Sequence, residues 1–190
     1  MSPLALALAA LVAMEPAVAL VHRTLMHGPA AWRWHRSHHR PPRAALEAND
    51  LLPLGFAAAT IVVMALGSAV AALGGLLWIG AGVTAYGVLY LVVHDLAIHR
   101  RLGGAPGTGL RYVRWVAAAH AVHHRTGGAP YGFLLPVVPA AHRSRVRATN
   151  AGEHDLLDRS PQRIHHDPTR RNDSRRQPDA VPDPSAGSLP

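Results

Sequence analysis

Ten histidines of this sequence fall in four short windows: His22-x4-His27, His35-x2-His38-His39, His94-x4-His99 and His120-x2-His123-His124. The order H-x4-H then H-x2-H-H occurs twice, so what repeats is the chemistry rather than the general sequence. On an α-helix, residues three and four apart share a face. His35 therefore aims with either His38 or His39, and those two neighbours diverge by about 100°. A single ion would use one of them poorly, whereas two ions side by side use both. Neutral imidazole suits iron, zinc, copper and nickel, and ten imidazoles are too many for one ion. We read all ten as candidate ligands of two metals. His142, His154, His165 and His166 carry no such pattern and are left out of the site.

The rest of the composition narrows the chemistry. The chain has 190 residues, 14 histidines and no cysteine. A disulfide framework, a thiolate zinc site and a thiol nucleophile are thereby excluded. No H-E-x-x-H occurs, which argues against a zinc protease. Glu15, Glu47, Asp50 and Asp95 are the only acids in residues 1–140. Asp95 follows His94, and Glu15 lies two helical turns before His22 on roughly the same face. Carboxylates that hydrogen-bond metal-binding imidazoles are expected, so Glu15 and Asp95 are the candidates for orienting the ligands. Asp50 also reads as a helix N-cap before Leu51. Haem ligation by paired histidines stays open as an alternative, though it leaves H-x2-H-H unexplained.

Four apolar elements must carry these windows. From Leu51 to Val93 no residue is charged, enough for two membrane spans of about 20 residues each. Gly74-Gly75 is the natural break, giving spans near 51–73 and 76–93. Leu4 to Val21 makes a third span. It lacks the basic start of a secretory signal and contains Glu15-Pro16, so it reads as a retained helix. Residues 131–141 are apolar but too short to cross, and are expected at the interface or re-entering the bilayer. Small residues (Gly67, Ser68, Gly80, Gly82, Gly87) suit close helix approach in a membrane. The expected fold is all-α: an integral membrane protein with three to four transmembrane helices and a histidine site at one face.

All 19 basic residues are arginine. Arg23, Arg33, Arg36, Arg40 and Arg43 lie between the first two spans, and Arg100, Arg101, Arg111, Arg114 and Arg125 follow the third. The positive-inside rule then puts both groups, and all four histidine windows, in the cytoplasm. For a bacterial chain that means the inner membrane. The basic pI of 11.3 thus marks a membrane face. Nucleic acid is not an expected partner, because the C-terminal stretch is nearly charge-balanced and lacks interleaved aromatics. Residues 1–144 are expected to form the membrane-embedded domain and 145–190 a polar, disordered tail.

At the motif residues the chain resembles the bacterial β-carotene hydroxylases of the fatty acid hydroxylase superfamily. The resemblance rests on H-R-T-L-M-H-G (22–28), W-H-R-S-H-H-R-P (34–41), L-E-A-N-D-L (46–51), W-I-G-A-G-V-T-A-Y-G-V-L-Y (78–90), H-D-L-A-I-H (94–99), A-H-A-V-H-H (119–124) and Y-G-F-L-L-P (131–136). It runs from about residue 14 to 139. It implies a non-haem di-iron monooxygenase that hydroxylates the β-ionone rings of β-carotene at carbon 3, with O2 as oxidant and a ferredoxin-type electron donor. The same chemistry on another lipid, and a non-catalytic metal- or haem-binding membrane protein, are the alternatives. The segment between His124 and Tyr131 is shorter than is usual in that family.

Overall fold

A computed structural model describes residues 1–40, 46–101 and 110–158, with side chains to residue 152. Six α-helices are present and no strand occurs among the described residues: α1 (Pro3–Val21), α2 (Trp32–His35), α3 (Leu51–Ala69), α4 (Gly75–Tyr90), α5 (Arg111–Thr126) and α6 (Ala140–Asp158). Three stretches, Pro3–Met26, Ala48–Ala69 and Gly75–Ile98, are long and apolar enough to cross a membrane. They bury little against each other, and Val12, Ile61 and Val62 are exposed. That is the pattern of helices whose apolar faces meet lipid. The segment 131–138 is non-helical and exposes Leu135 and Val137. It adds no fourth crossing.

Helix α4 packs against both α1 and α3 and so forms the middle of the trio. Gly82 permits the approach to α1: a Cβ there would collide with the carbonyl oxygen of Ala7. Pro16 does not end α1, which runs through it. The break between the two helices runs up to Gly74-Gly75, as expected: α3 ends at Ala69, a short 3-10 turn covers Ala71–Leu73, and α4 starts at Gly75.

The first and third spans share a feature at their ends. Each continues from α-helix into a wider π-helical stretch, His22–Met26 and Leu91–Ile98. The backbone bonds close five residues apart, from His27 N–H to the His22 carbonyl (3.1 Å) and from His99 N–H to the His94 carbonyl (3.0 Å). In an α-helix the two histidines of H-x4-H diverge. The wider winding, which recurs at functional sites, brings them to one side: the rings lie 5.0 Å apart in the first pair and 4.6 Å in the second.

Helix α5 carries the last window and packs against α6. Val146 of α6 is buried against Ala118, Ala119 and Val122 of α5, and the Arg125 guanidinium donates to Thr149 Oγ1 at 2.7 Å. The expected boundary at 144/145 therefore cuts through a helix, and residues 145–158 are helical rather than disordered. Average composition hides this because the docking rests on a few specific contacts rather than on a broad apolar face. The remainder of the expected tail, 159–190, and Arg43 lie outside the described residues.

Candidate metal centre

The four histidine windows converge at one end of the spans and separate into two groups. His22, His27, His35, His39 and His123 form the first; His38, His99, His120 and His124 form the second. Within each group one ring nitrogen per residue lies within 4.8 Å of all the others. The helical spacing is used twice in opposite senses. His35 and His39, one turn apart, serve the first group while His38 crosses to the second. His120 and His124 serve the second group while His123 crosses to the first. His94, the tenth, sits beside the second group, its ring 4.6 Å from those of both His99 and His120. His142 is in neither group; the side chain of His154, and His165 and His166, lie outside the description.

Hydrogen bonds at the far side of the rings fix which nitrogen is free. His22 Nδ1 meets the Tyr131 carbonyl oxygen at 2.8 Å. His123 Nδ1 meets the Gly128 carbonyl oxygen at 2.6 Å. His35 Nδ1 meets Asn49 Oδ1 at 2.8 Å and His94 Nδ1 meets Asp95 Oδ1 at 2.7 Å. These oxygens only accept, so in each ring Nδ1 carries the proton and Nε2 presents a lone pair. The lone pairs then face each other: His22 Nε2 to His35 Nε2 is 3.0 Å. His27 Nε2 lies 3.2 Å from His123 Nε2. His22 Nε2 and His35 Nε2, both acceptors, repel at 3.0 Å unless a cation stands between them. The Nε2 atoms of His38, His94 and His124 are buried with no hydrogen-bond partner, which costs free energy in an apolar interior. The residues present therefore fit metal ions, and they present neutral imidazole nitrogen as the donor.

Burial keeps the imidazoles neutral. It pushes His27 and His35 down to about 4 and His99 and His123 down to about 3, with neighbouring histidines adding to the effect. His38, His120 and His124 are lowered as well, for the same reason. The ligands are thus ready to bind metal at neutral pH without first losing protons.

The acids divide differently from the sequence expectation. Asp95 touches a histidine directly, as expected. Glu15 touches none. Its two oxygens accept from the Tyr86 hydroxyl (2.6 Å) and from the backbone N–H groups of Leu134 and Leu135 (2.8–3.2 Å). It anchors the segment that supplies the Tyr131 carbonyl and Phe133, which stacks on His22 at 4.8 Å. Glu15 therefore acts on the imidazoles one step removed. Asp50 does not cap α3 with its side chain; it accepts from the Glu47 N–H and pairs with Arg101 at 2.6 Å. Glu47 lies 4.0 Å from His38 Nδ1.

Sequence reasoning missed Asn49, the partner of His35. Its only signal was its place in the L-E-A-N-D-L stretch. The carbonyls of Tyr131 and Gly128 leave no side-chain signal at all. Gly127 is what presents the latter: it ends α5 in the left-handed conformation (φ 64°), where glycine is favoured, and the next residue turns its carbonyl onto His123.

Known proteins are similar to this chain over most of its length. Residues 7–144 match the fatty acid hydroxylase family. The chain is 40% identical to a β-carotene hydroxylase of Pseudescherichia vulneris over 133 residues, 68% of this chain and 74% of that one. It is 49% identical to a β-carotene hydroxylase of Pantoea ananas over 47% of this chain and 50% of the relative. It is 38% identical to a chloroplastic β-carotene 3-hydroxylase of an Oncidium hybrid cultivar over 71% of this chain and 45% of the relative. These alignments span between about half and three quarters of the relatives' lengths. No solved structure matches the chain.

Proposed function

Because the chain belongs to the fatty acid hydroxylase family, we propose that it hydroxylates β-carotene at carbon 3 of its β-ionone rings, giving β-cryptoxanthin and then zeaxanthin. The relatives' names support the substrate. The observation that carries the chemistry is the convergence of imidazole ring nitrogens in two groups. In this reading His22, His27, His35, His39 and His123 hold one iron, and His38, His94, His99, His120 and His124 hold the other. Five imidazole nitrogens around one point leave no plane for a porphyrin, which speaks against the haem alternative. Two bound irons would supply the O2-dependent oxidation that replaces a ring hydrogen by hydroxyl.

The protein's own residues do the rest. Tyr131, Asn49, Gly128 and Asp95 hold the Nδ1 protons and thereby aim Nε2 inward. Phe133, packed on His22 and His94, keeps water from the side facing segment 131–135. The substrate is an apolar polyene dissolved in the bilayer, so a site at the span ends receives a ring from the membrane. We place that end in the cytoplasm, in a bacterial inner membrane, from the arginine distribution, where a soluble ferredoxin-type donor can reach it.

The test is expression in a β-carotene-accumulating bacterium, with pigments separated by chromatography and iron measured on purified protein. Zeaxanthin and close to two irons per chain are expected. His35→Ala, His38→Ala and His123→Ala should each abolish zeaxanthin. Retention of product in all three would overturn the assignment, and hydroxylation of a different lipid would redirect it.

A further inference from the structure

Monooxygenation of a C–H bond by O2 yields one hydroxyl and one water and consumes two electrons and two protons. The substrate and O2 do not supply those electrons, so a reductant must meet the protein somewhere near the histidines. Most of the rings are shielded: His22, His35, His38, His94, His120 and His123 are buried. Two aromatic side chains touch the first group and are open to the surface: Tyr131, half-buried against His22, His27 and His123, and Trp32, the more exposed of the two. Trp32 is 39% exposed, and its ring lies 5.4 Å from His27 and 5.6 Å from His39. His39 in turn stacks on His124 of the second group at 4.4 Å. The rings Trp32, His39 and His124 thus form a continuous aromatic path from the surface to both groups.

The surroundings of Trp32 are cationic. Arg36 lies one helical turn on, its N–H bonded to the Trp32 carbonyl at 2.8 Å, so the two share a face. Arg33 and Arg40 are also exposed. No acid occurs between Glu15 and Glu47 in the sequence. An exposed tryptophan with Arg36 on its own face, in a segment that also exposes Arg40 and Arg33, the latter stacked on Trp34 at 4.1 Å, has the composition of an interface centre, where Trp and Arg are enriched and carry most of the binding energy. A cationic patch steers an acidic partner and makes association depend on salt.

We propose that Trp32, with Arg36, Arg33 and Arg40, forms the docking surface for a small acidic protein carrying one electron at a time, and that its electrons enter through Trp32. This rests on the di-iron reading above. In each transfer the carrier is oxidised by one electron and one ferric ion is reduced to ferrous; two transfers balance one hydroxylation.

The experiment uses the full chain in nanodiscs, loaded with iron, under anaerobic conditions. A reduced plant-type [2Fe–2S] ferredoxin and reduced methyl viologen are mixed with it in separate stopped-flow runs. Binding of the ferredoxin is followed in parallel by biolayer interferometry at low and high salt. For Trp32→Ala, iron reduction by ferredoxin should slow at least tenfold while methyl viologen reduction and iron content stay within twofold of wild type. Trp32→Phe, which keeps an aromatic ring in the path, should recover much of the rate. Arg36→Glu should weaken ferredoxin binding and flatten its salt dependence.

Equal ferredoxin rates in wild type and Trp32→Ala would overturn the proposal. So would equal slowing with both reductants together with loss of iron, which would make Trp32 a packing residue. Unchanged ferredoxin rates with weaker attachment to anionic vesicles would assign the patch to lipid headgroups instead. A wild type that binds no iron defeats the functional reading itself, whereas an iron-replete wild type indifferent to Trp32 defeats only this surface.

Discussion

Replacing Asn49 by alanine removes the oxygen that holds the Nδ1 proton of His35, 2.8 Å away. Both residues are buried, at 4% and 1% exposure, so water does not replace the lost partner. His35 then has two poor choices. It can keep its tautomer with a buried, unsatisfied N–H, at a cost of about 1–3 kcal/mol. Or it can move the proton to Nε2, which points a donor at His22 Nε2 and His39 Nε2, 3.0 and 3.2 Å away, and takes the lone pair from the metal. Loss of such a supporting hydrogen bond typically lowers metal affinity about 10–100-fold, which is about 1.4–2.8 kcal/mol at a factor of ten per 1.4 kcal/mol. The two scales agree. The assay is iron retention against a graded chelator, with iron per chain measured by mass spectrometry. Asn49→Ala should lose iron at a chelator concentration about 10–100-fold lower than wild type, and Asn49→Asp, which keeps an acceptor, should fall between them. A folded Asn49→Ala protein that holds iron as tightly as wild type would refute the tautomer argument.

Three further outcomes are expected. Glu15→Ala strips the acceptor from Tyr86 and from the Leu134 and Leu135 N–H groups; it should lower the thermal midpoint in detergent and reduce hydroxylation more than Glu15→Gln, which keeps one acceptor oxygen. Gly82→Ala pushes a Cβ into the Ala7 carbonyl and should destabilise by about 1–3 kcal/mol through overpacking, read as a lower unfolding midpoint; Gly87→Ala, with open space around it, should be near neutral. The pH dependence follows from burial. In the folded apo-protein His27 and His35 stay neutral down to about 4, whereas unfolding returns them toward 6.5. Between those values the unfolded chain binds more protons, so apo-protein stability is full above about pH 6.5 and falls as pH drops toward 4. Chemical denaturation at pH 7.5, 6 and 5 checks the sign.

Much of the site was legible before the structure. The doubled H-x4-H, H-x2-H-H order singled out the ten histidines that the structure gathers into two groups with His94 beside the second, because the roughly 100° step between neighbouring helical residues turns His38 and His39 to different sides. The charge-free run and the arginine positions set the spans and put every window at the same end of them. Three things were not legible. The π-helical winding that rescues H-x4-H depends on where each span must deliver its rings, not on local propensity. The docking of 140–158 uses contacts with α5, Val146 on its small-residue face and Arg125 on Thr149, which composition averages away. Glu15 was assigned to the histidines on the strength of spacing, but the chain segment it holds arrives from more than a hundred residues later.

What the sequence by itself determined is the donor set: imidazole nitrogen without thiolate, on apolar helices, at intervals that place pairs on one face. What only the tertiary structure decided is the partition of those donors into two groups and the identity of the lone pair each ring presents. The reason is that helical spacing is a local property. Which of two neighbouring histidines turns to which centre, and which ring nitrogen keeps its proton, depends on groups brought from elsewhere in the chain: Asn49, the Tyr131 and Gly128 carbonyls, and the Glu15 carboxylate that holds segment 131–135 in place.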